Sequence, residues 1–464
     1  MRTDEARRAA YDTLRAVSGH EAYANLVLPK ILTDRRIDPR DAALATELAY
    51  GSLRGTGTYD AILAACVDRP LDRLDPEVLD LLRLGAHQLL ATRIPPHAAV
   101  AATVDLAREA THEGAARMVN AVLRRVGEAD LRTWVDRIAP DPDRDPEGYL
   151  AIYRAHPRWI VSALWDALAA HRGKRAAFDE IDRLLEADNA RPGVTLAARP
   201  GLCTAGELVR EGAEPARYAS TAAYLPEGDP ARLEAVARGH AAVQDEGSQL
   251  VALALAEAPI GGGPDALWLD LCAGPGGKAA LLAALAAQRD ARLVAAEVAP
   301  HRARLVKRAL QPIRGLHKVV IADGTQPPWR AGVFDRVLLD APCTGLGALR
   351  RRPEARWRRK PSDVATLSAL QKRLLASALD AARPGGLVAY VTCSPHLAET
   401  RIVVGDVLKE RDDVQQLDAR DLLPGVPDLG DGPDVQLWPH LHQTDAMYLA
   451  LLRKQPPTAP GPAD

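Results

Sequence analysis

Two cysteines in the carboxy-terminal half of the 464-residue chain stand in short turn motifs that follow apolar runs. Cys343 lies in the segment DAPCTG and Cys393 in the segment TCSP. Loop amides and a helix N-terminus can lower the pKa of a thiol in such a turn, so both thiols are predicted to be reactive. The other three cysteines are predicted to be small buried hydrophobic residues, and they are Cys66, Cys203 and Cys272.

Paired reactive thiols have a specific use in methyl transfer. C5 of a pyrimidine is a poor nucleophile, but addition of a thiolate to C6 turns C5 into an enamine-like carbon that attacks an activated methyl group. A carboxylic acid beside N3 would stabilise this adduct by protonation, a role that suits Asp340. A second cysteine could assist release of the product. The cysteines therefore indicate methylation of a pyrimidine carbon.

A glycine-rich segment, DLCAGPGGK (residues 270–278), predicts a ligand-binding turn at a helix N-terminus. A phosphate-binding loop of the Walker type would need Gly at position 272 and Ser or Thr at 279, and the chain has Cys272 and Ala279. Nucleoside triphosphate hydrolysis is thereby disfavoured. The spacing of Gly274, Gly276 and Ala279 satisfies the permissive dinucleotide fingerprint, which suits S-adenosylmethionine equally well.

Three charged residues near this turn have both a binding and a structural interpretation. Glu297 ends the second predicted strand, where a carboxylate can bind two vicinal ribose hydroxyls, and Asp323 ends the third, near the place of an adenine amino group. Taken alone, Asp323 could be a helix N-cap. Lys278 is either a solvated first-turn residue or a clamp on the cofactor carboxylate or on Asp340. The joint occurrence after successive strands favours the binding roles.

Beyond residue 240 the chain alternates short apolar runs with amphipathic helical segments. This rhythm is typical of a parallel sheet covered by helices on both faces, a Rossmann-like α/β fold. Ligands of such sheets bind outside the carboxyl ends of the strands. Six polar or reactive residues follow predicted strand ends and are expected to meet in one cleft: Asp270, Glu297, Asp323, Asp340, Cys343 and Cys393.

The rest of the chain predicts a multidomain protein. Residues 3–127 read as an all-α bundle, with helix starts at Asp38-Pro39 and Asp75-Pro76. A Pro-rich, acidic stretch predicts a linker, and a strand at Val194–Ala198 with a capping box at Thr204 and Glu207 predicts a small α+β module. The expected boundaries are 1–138 for the bundle, 139–148 for the linker, 149–239 for the module, 240–454 for the α/β domain and 455–464 for a disordered tail.

Composition excludes several classes of protein. The 59 Lys and Arg residues nearly balance 61 Asp and Glu, so net charge predicts no partner. No run of 18 apolar residues occurs and the amino terminus is charged, so a soluble, cytoplasmic protein without membrane contact is expected. The cysteines form no CxxC pair and no cluster with histidines at zinc spacing, so neither a disulfide framework nor a metal site is predicted.

A local basic segment directly after Cys343 contrasts with the neutral total. Seven cations between residues 350 and 360 face Glu354 alone, with Trp357 among them. Such a run is often a solvated surface, but beside a reactive loop phosphate contact and base stacking are favoured. The predicted RNA contacts are Arg350, Arg351, Arg352, Arg356 and Trp357. Because the chemistry needs the face and edge of the ring, the target base must be unpaired or flipped.

The segments CAGPGGK, DAPCTGLGALRRRPEARW and TCSP, in this order, resemble the Nol1/Nop2/Sun family of RNA cytosine-C5 methyltransferases, as does Val243–Leu255. The first 127 residues, including Ala116–Val126, look like a NusB-type RNA-binding domain. The resemblance implies methylation of small-subunit (16S) rRNA, with Cys393 as nucleophile, Cys343 as the releasing cysteine and Asp340 at N3. It also implies an S-adenosylmethionine site formed by Cys272, Ala273, Gly274, Pro275, Gly276, Gly277, Lys278, Glu297, Asp323 and Asp340.

The chain departs from the family pattern in one place. After TCS the family usually shows Pro-Glu-Glu-Asn, whereas residues 395–400 here keep one glutamate, Glu399, and lose the asparagine. DNA cytosine-C5 methyltransferases attack with the cysteine of a Pro-Cys pair, which leaves Cys343 as an alternative nucleophile, although the Thr-Cys motif favours Cys393. Two other functions stay open: a dinucleotide-dependent oxidoreductase, and an RNA-binding antitermination or assembly factor with a degenerate methyltransferase half. A monomer is expected.

Overall fold

The computed structural model describes residues 4–20 and 22–456. The chain divides into two compact units. The first, called the helical unit here, comprises Met1–Ala163, Ile181–Ala190 and Leu349–Arg359. The second, called the sheet unit, comprises Leu164–Glu180, Arg191–Ala348 and Lys360–Asp464. No helix among the described residues is long and apolar enough to cross a membrane.

The described residues up to 153 form eight α-helices, in agreement with the helical bundle that the sequence predicts for residues 1–138. Asp38 caps the third helix by accepting the amides of Arg40 and Asp41, with Pro39 at the first helical position. Apolar side chains of these helices form one buried core. The helices are α1 (Glu5–His20), α2 (Ala24–Asp34), α3 (Pro39–Cys66), α4 (Pro76–Ala91), α5 (Pro96–Ala110), α6 (Glu113–Val126), α7 (Leu131–Ile138) and α8 (Pro146–Tyr153).

Two helices, α9 (Arg158–Arg172) and α10 (Lys174–Asn189), precede a small antiparallel sheet of order β2-β3-β1-β4. Its first strand is Val194–Ala198 and Thr204 and Glu207 form a capping box, both as predicted. The elements are β1 (Val194–Ala198), α11 (Ala205–Arg210), β2 (Glu214–Pro215), β3 (Ala222–Leu225), α12 (Glu234–Ala237) and β4 (Ala241–Val243).

The large sheet has eight strands, seven of them in the order β10-β12-β9-β8-β5-β6-β7, with β11 paired to β12. Its elements are α13 (Glu246–Glu257), β5 (Leu267–Asp270), α14 (Gly277–Ala287), β6 (Arg292–Glu297), α15 (Pro300–Leu310), β7 (His317–Ile321), β8 (Phe334–Asp340), α17 (Pro361–Ala381), β9 (Ala382–Thr392), α18 (Arg401–Lys409), β10 (Val414–Leu417), β11 (Val435–Gln436), α19 (Pro439–His442) and β12 (Tyr448–Lys454). Short 3-10 turns lie at Leu71–Arg73, Pro230–Arg232, Leu346–Ala348, Leu397–Glu399 and Arg420–Leu422.

Five strands of this sheet, β7, β6, β5, β8 and β9, are parallel, so their carboxyl ends share one edge. Successive strand residues face opposite cores, as the alternation of side chains along a strand requires. Trp268 and Leu338 pack with α13, α14 and α15, whereas Leu269 and Leu339 pack with α17 and α18. The prediction of a Rossmann-like sheet covered on both faces is confirmed.

Three predicted boundaries differ from the structure. Helix α8 begins at Pro146 inside the expected linker, because Asp145 caps it by accepting the amide of Gly148. Strand β4 extends the small sheet past residue 239 by pairing with β1. Residues 349–359, including helix α16 (Ala355–Arg358), belong to the helical unit although they lie within the range assigned to the α/β domain. Most of the predicted tail, 457–464, lies outside the described residues.

Candidate active site

Acidic and thiol side chains follow the carboxyl ends of the parallel strands. Asp270, Glu297 and Asp340 are the last residues of β5, β6 and β8, and Cys393 follows the last residue of β9. Because these strands are parallel neighbours, the four residues lie along the same edge of the sheet. This is the edge at which open α/β sheets bind ligands.

The two cysteines predicted to react are in direct contact. The Sγ atoms of Cys343 and Cys393 lie 3.4 Å apart, and both residues are half-buried and thus open to a ligand. Backbone bonds hold their loops together, since the amide of Gly347 donates to the carbonyl of Cys393 over 2.9 Å. A single base could therefore meet both sulfurs.

A partly buried ion pair lies beside the sulfurs. The ammonium of Lys278 donates to Oδ2 of Asp340 over 2.9 Å. Burial opposes the charged form of Lys278, but the ion pair raises its pKa above the ordinary value. The preference for a site position over a solvated first-turn position is in keeping with this contact, since only 12% of the lysine side chain is exposed.

The surroundings make the two thiols unequal. The hydrogen bond between the sulfurs lowers the pKa of Cys393 below that of an ordinary thiol, and the nearby charge of Lys278 acts in the same direction against the effect of burial. The same hydrogen bond, with burial, raises the pKa of Cys343 well above its ordinary value. Cys393 is therefore the better thiolate and Cys343 the better proton carrier.

A fully buried carboxylate connects the two cysteine loops. Oε1 of Glu399 accepts the amide of Thr344 over 2.8 Å, and Oε2 accepts the hydroxyl of Ser394 over 2.7 Å. These two residues directly follow the two cysteines. The sequence identifies Glu399 only as the one glutamate that is kept from a family pattern. That retention is the signal from which its role in the site could have been predicted.

The glycine-rich turn between β5 and α14 is shaped for close approach of a ligand. Gly276 caps α14 with a φ of +117°, a conformation that favours glycine. The amide of Gly274 donates to Oε2 of Glu297 over 3.0 Å, and a Cβ at Gly274 would collide with that carboxylate. Within the turn Ala273 is buried, Pro275 is exposed, and Gly277 and Cys272 are half-buried. Burial raises the pKa of the Cys272 thiol, which marks it as unreactive.

The outer part of this edge carries features that sequence reasoning missed. Arg302 lies 3.6 Å from the carboxylate of Glu297 and donates to the carbonyl of Gly274. Val298 and Ile321 are 62% and 58% exposed, large values for apolar side chains at strand ends. Together with the glycine turn and a strand-end carboxylate, this exposed apolar pair fits the adenosine part of a cofactor.

Asp323 is less enclosed than the strand-end carboxylates of Asp270 and Glu297, which are buried. It is exposed, and its Oδ1 accepts both the amide and the hydroxyl of Thr325 over 2.8 Å. The hydrogen bond from the Thr325 amide lowers the pKa of Asp323. The side chain thus caps a turn, in agreement with the structural alternative, while its place after β7 keeps it near the cofactor edge.

The basic segment after Cys343 differs from expectation in one residue. Arg356 is fully buried, and its guanidinium donates to the carbonyls of Ala155 and Asp188 and to Oδ1 of Asn189. The prediction that Arg356 contacts RNA is therefore wrong for this structure, because the side chain is fully buried and both terminal nitrogens of its guanidinium bond within the helical unit. Arg350 is largely buried as well.

The three other predicted RNA contacts keep part of their surface exposed. Arg352 is exposed, and its guanidinium lies 5.1 Å from the ring centroid of Tyr23. Trp357 is 40% exposed and rests against Gly57 of α3, while Arg351 is half-buried. Among residues 4–20 and 22–456 there is no group of three or more His, Cys, Asp or Glu side chains that could hold a metal ion.

Comparison with known proteins agrees with both halves of the molecule. Residues 4–128 match the NusB family model, and residues 261–453 match the model described as 16S rRNA methyltransferase RsmB/F. The chain is 30% identical to ribosomal RNA small subunit methyltransferase B of Erwinia tasmaniensis, over 96% of this chain and 98% of the relative. The chain belongs to the RsmB/F family of rRNA methyltransferases. The RsmB/F assignment confirms the predicted methyltransferase class, the rRNA substrate and S-adenosylmethionine as cofactor.

Further relatives extend over nearly the whole chain. The Mycobacterium tuberculosis (strain ATCC 25618 / H37Rv) protein Rv1407 is 55% identical over 97% of both chains. The crystal structure of PH0851 covers 98% of this chain and 99% of its own, with a TM-score of 0.79 at 23% identity, which shows a shared fold. The likeness of this RsmB/F chain to these proteins therefore extends over both of its halves.

Proposed function

We propose that the chain methylates C5 of an unpaired or flipped cytosine in 16S rRNA, through a transient bond between Sγ of Cys393 and C6 of the ring. The observation that carries the proposal is the 3.4 Å contact between Cys393 and Cys343 at the cofactor edge of the sheet. Methylation of a nitrogen or an oxygen needs no thiolate, whereas methylation at C5 does. A cytoplasmic monomer is the simplest form of such an enzyme.

The proposed chemistry begins at the sulfur with the lower pKa. The Cys393 thiolate adds to C6, and the electrons of the C5–C6 double bond move toward N3, which gains a proton. The Lys278–Asp340 pair supplies that proton, because the two side chains share one over 2.9 Å beside the thiol. When bound, S-adenosylmethionine would supply an electrophilic methyl group to C5, and the S–CH₃ bond would break to leave S-adenosylhomocysteine.

Release uses the second sulfur. The C5 proton passes to Cys343 as this cysteine gives its own proton to the departing sulfur of Cys393, and N3 returns its proton to the ion pair. The C5–H electron pair re-forms the double bond while the C6–S bond breaks. Both cysteines end as thiols, and Cys393 loses one proton to water before the next turnover.

The rRNA is proposed to contact the exposed part of the basic segment, namely Arg351, Arg352 and Trp357. Guanidinium groups bind phosphate oxygens, and an exposed indole offers a stacking surface for an unpaired base. Arg350 is largely buried and is left out of this proposed surface. Residues of the glycine turn, with Glu297 and Asp323, are proposed to bind the cofactor.

The test compares single cysteine variants of the full chain with a 16S rRNA fragment and S-adenosylmethionine. Cys393→Ser should abolish methylation without forming an adduct, whereas Cys343→Ser should accumulate a covalent protein–RNA complex on denaturing gels. Cys66→Ala, in the core of the helical unit, is the matched control and should behave as wild type. The reverse pattern would make Cys343 the nucleophile, and binding of RNA without any methylation would favour the assembly-factor alternative. Bisulfite sequencing of rRNA with and without the gene identifies the cytosine.

A further inference from the structure

Glu399 joins the two reactive loops through one carboxylate. It lies in the turn Leu397–Glu399 and is fully buried. Its two oxygens accept the Thr344 amide and the Ser394 hydroxyl, and the Thr344 hydroxyl bonds to both Glu399 and Ser394. One side chain therefore bonds to the residue after each cysteine.

Two further side chains hold Glu399, one through its carboxylate and one through its backbone carbonyl. Gln371 of α17 donates to Oε1 of Glu399 over 3.2 Å and to the carbonyl of Pro342, just before Cys343, over 2.9 Å. The hydroxyl of Tyr390 donates to the backbone carbonyl of Glu399 over 2.7 Å. Such a density of donors satisfies a buried carboxylate without a cation, and charge-assisted bonds of this kind are strong and directional.

We infer that Glu399 is a positioning residue that holds Cys343 against Cys393, so that Cys343 can release the methylated base. The inference rests on the proposed covalent mechanism. Binding of Cys393 to the base needs only one loop in place, whereas release needs both sulfurs at the same ring. Loss of the bridge should therefore slow release more than attack.

The charge of Glu399 supports the same division of labour. It contributes to the raised pKa of Cys343, after the larger effects of the sulfur–sulfur hydrogen bond and burial, and so helps to keep that thiol protonated. A protonated Cys343 is the form that can give its proton to the departing sulfur. The bridge thus acts on both the place and the protonation state of the releasing cysteine.

Two conservative variants separate the reach of the side chain from its charge. Glu399→Asp keeps the charge but is one methylene shorter, so its carboxylate cannot bond to both loops. Glu399→Gln keeps the length, because the Thr344 and Ser394 hydroxyls can turn to accept from the new NH₂ group while the amide oxygen still accepts the Thr344 amide. We expect the length of the side chain at position 399 to determine the rate of release, and its charge to determine how that rate depends on pH.

The experiment measures adduct formation and adduct release separately, in single turnovers of the full chain with S-adenosylmethionine and a 16S rRNA fragment. Glu399→Asp should form the adduct at nearly the wild-type rate and release it about 100-fold more slowly, because a displacement of about 1 Å can cost that much. Glu399→Gln should restore most of the release rate and shift its pH profile downward. Thr400→Val, which removes a bond to the His396 carbonyl in the same turn, is the matched control and should change neither rate.

The possible contrary results have different meanings. Equal losses in formation and release by Glu399→Asp, in proportion to a loss of folded protein, would overturn the positioning role. If Glu399→Asp does not fold, Ser394→Ala removes the bond between Glu399 and the Cys393 loop, together with the contacts of the Ser394 hydroxyl to the Thr344 hydroxyl and the His396 amide. Unchanged release by this variant would equally overturn the role. If Cys343→Ser gives no adduct, the assignment of Cys393 as nucleophile and Cys343 as releasing cysteine fails, and the inference falls with it. An adduct from Cys343→Ser but none from Glu399→Asp refutes only the inference.

Discussion

Replacing Arg356 by lysine should destabilise the helical unit and leave the electrostatics of rRNA binding unchanged. The guanidinium donates through one nitrogen to Ala155 and Asn189 and through another to Asp188, and it is fully buried. Burial lowers the pKa of Arg356 to about 10, so the site holds its charge at a cost. A lysine ammonium lacks the planar fork that reaches these acceptors together.

The size of the effect follows from the acceptors that lose their donor. A lysine ammonium in the place of the nitrogen that bonds to Ala155 and Asn189 can satisfy those two acceptors, and the Asp188 carbonyl, which loses its donor, costs about 1–3 kcal/mol. We therefore expect Arg356→Lys to lower the free energy of unfolding of the helical unit by about 1–3 kcal/mol. Urea titration with hydrogen exchange of α3 and α6 amides measures this loss.

Arg352→Ala is the matched control, because Arg352 belongs to the same basic segment but is exposed. Its stability should change by less than about 0.5 kcal/mol. If Arg352 contacts a phosphate, the slope of log binding constant against log salt should fall by about 1, and Arg356→Lys should leave that slope unchanged at equal folded fraction. A lower slope with undiminished stability in Arg356→Lys would refute the buried role.

Three further predictions concern the edge of the large sheet. Burial raises the pKa of Asp270 to about 8 from an ordinary 3.8. The stability that Asp270 contributes is therefore complete below pH 3.8 and is lost as the pH rises toward 8. In urea titrations between these pH values, Asp270→Asn should lose less stability than wild type. Gly274→Ala should weaken S-adenosylmethionine binding at least about tenfold in calorimetry, about 1.4 kcal/mol, because its Cβ displaces Glu297, and unchanged affinity would contradict the proposed cradle. Lys278→Met should raise the pKa of Cys393, so that iodoacetamide alkylates the Cys393 peptide more slowly at neutral pH; an unaltered rate would show that the ammonium does not activate the thiol.

The edge of the sheet could be predicted from sequence because its signals are local. Each strand is a short apolar run, and the residue that follows it is placed by the rule that parallel strands share their carboxyl ends. The turn after Asp270 is predicted from its glycines, because these residues allow backbone conformations that a tight turn requires. The contact of Cys343 with Cys393 then follows from the adjacency of β8 and β9, although the sequence does not state that adjacency.

What could not be predicted depends on contacts between distant parts of the chain. The sequence of an arginine-rich segment does not show whether its side chains are solvated or buried. The residues that accept hydrogen bonds from Arg356 lie 167 to 201 residues away in the chain. Glu399 bonds to Thr344, 55 residues earlier, so its local surroundings suggest only a surface turn. Strand β4 joins the small sheet through β1, and a boundary read from composition alone misses that pairing.

The discontinuous make-up of the helical unit has a consequence for synthesis of the chain. Asn189, which accepts from Arg356, is made 167 residues before it. At about 5–20 residues per second, the amino-terminal helices wait about 8–30 s on the ribosome before their last partner emerges. Until then the site that receives Arg356 is unfilled in the nascent polypeptide. A chain that ended at residue 190 would never fill it. Exchange of amino-terminal halves between relatives should therefore carry residues 349–359 along with the helices that receive them.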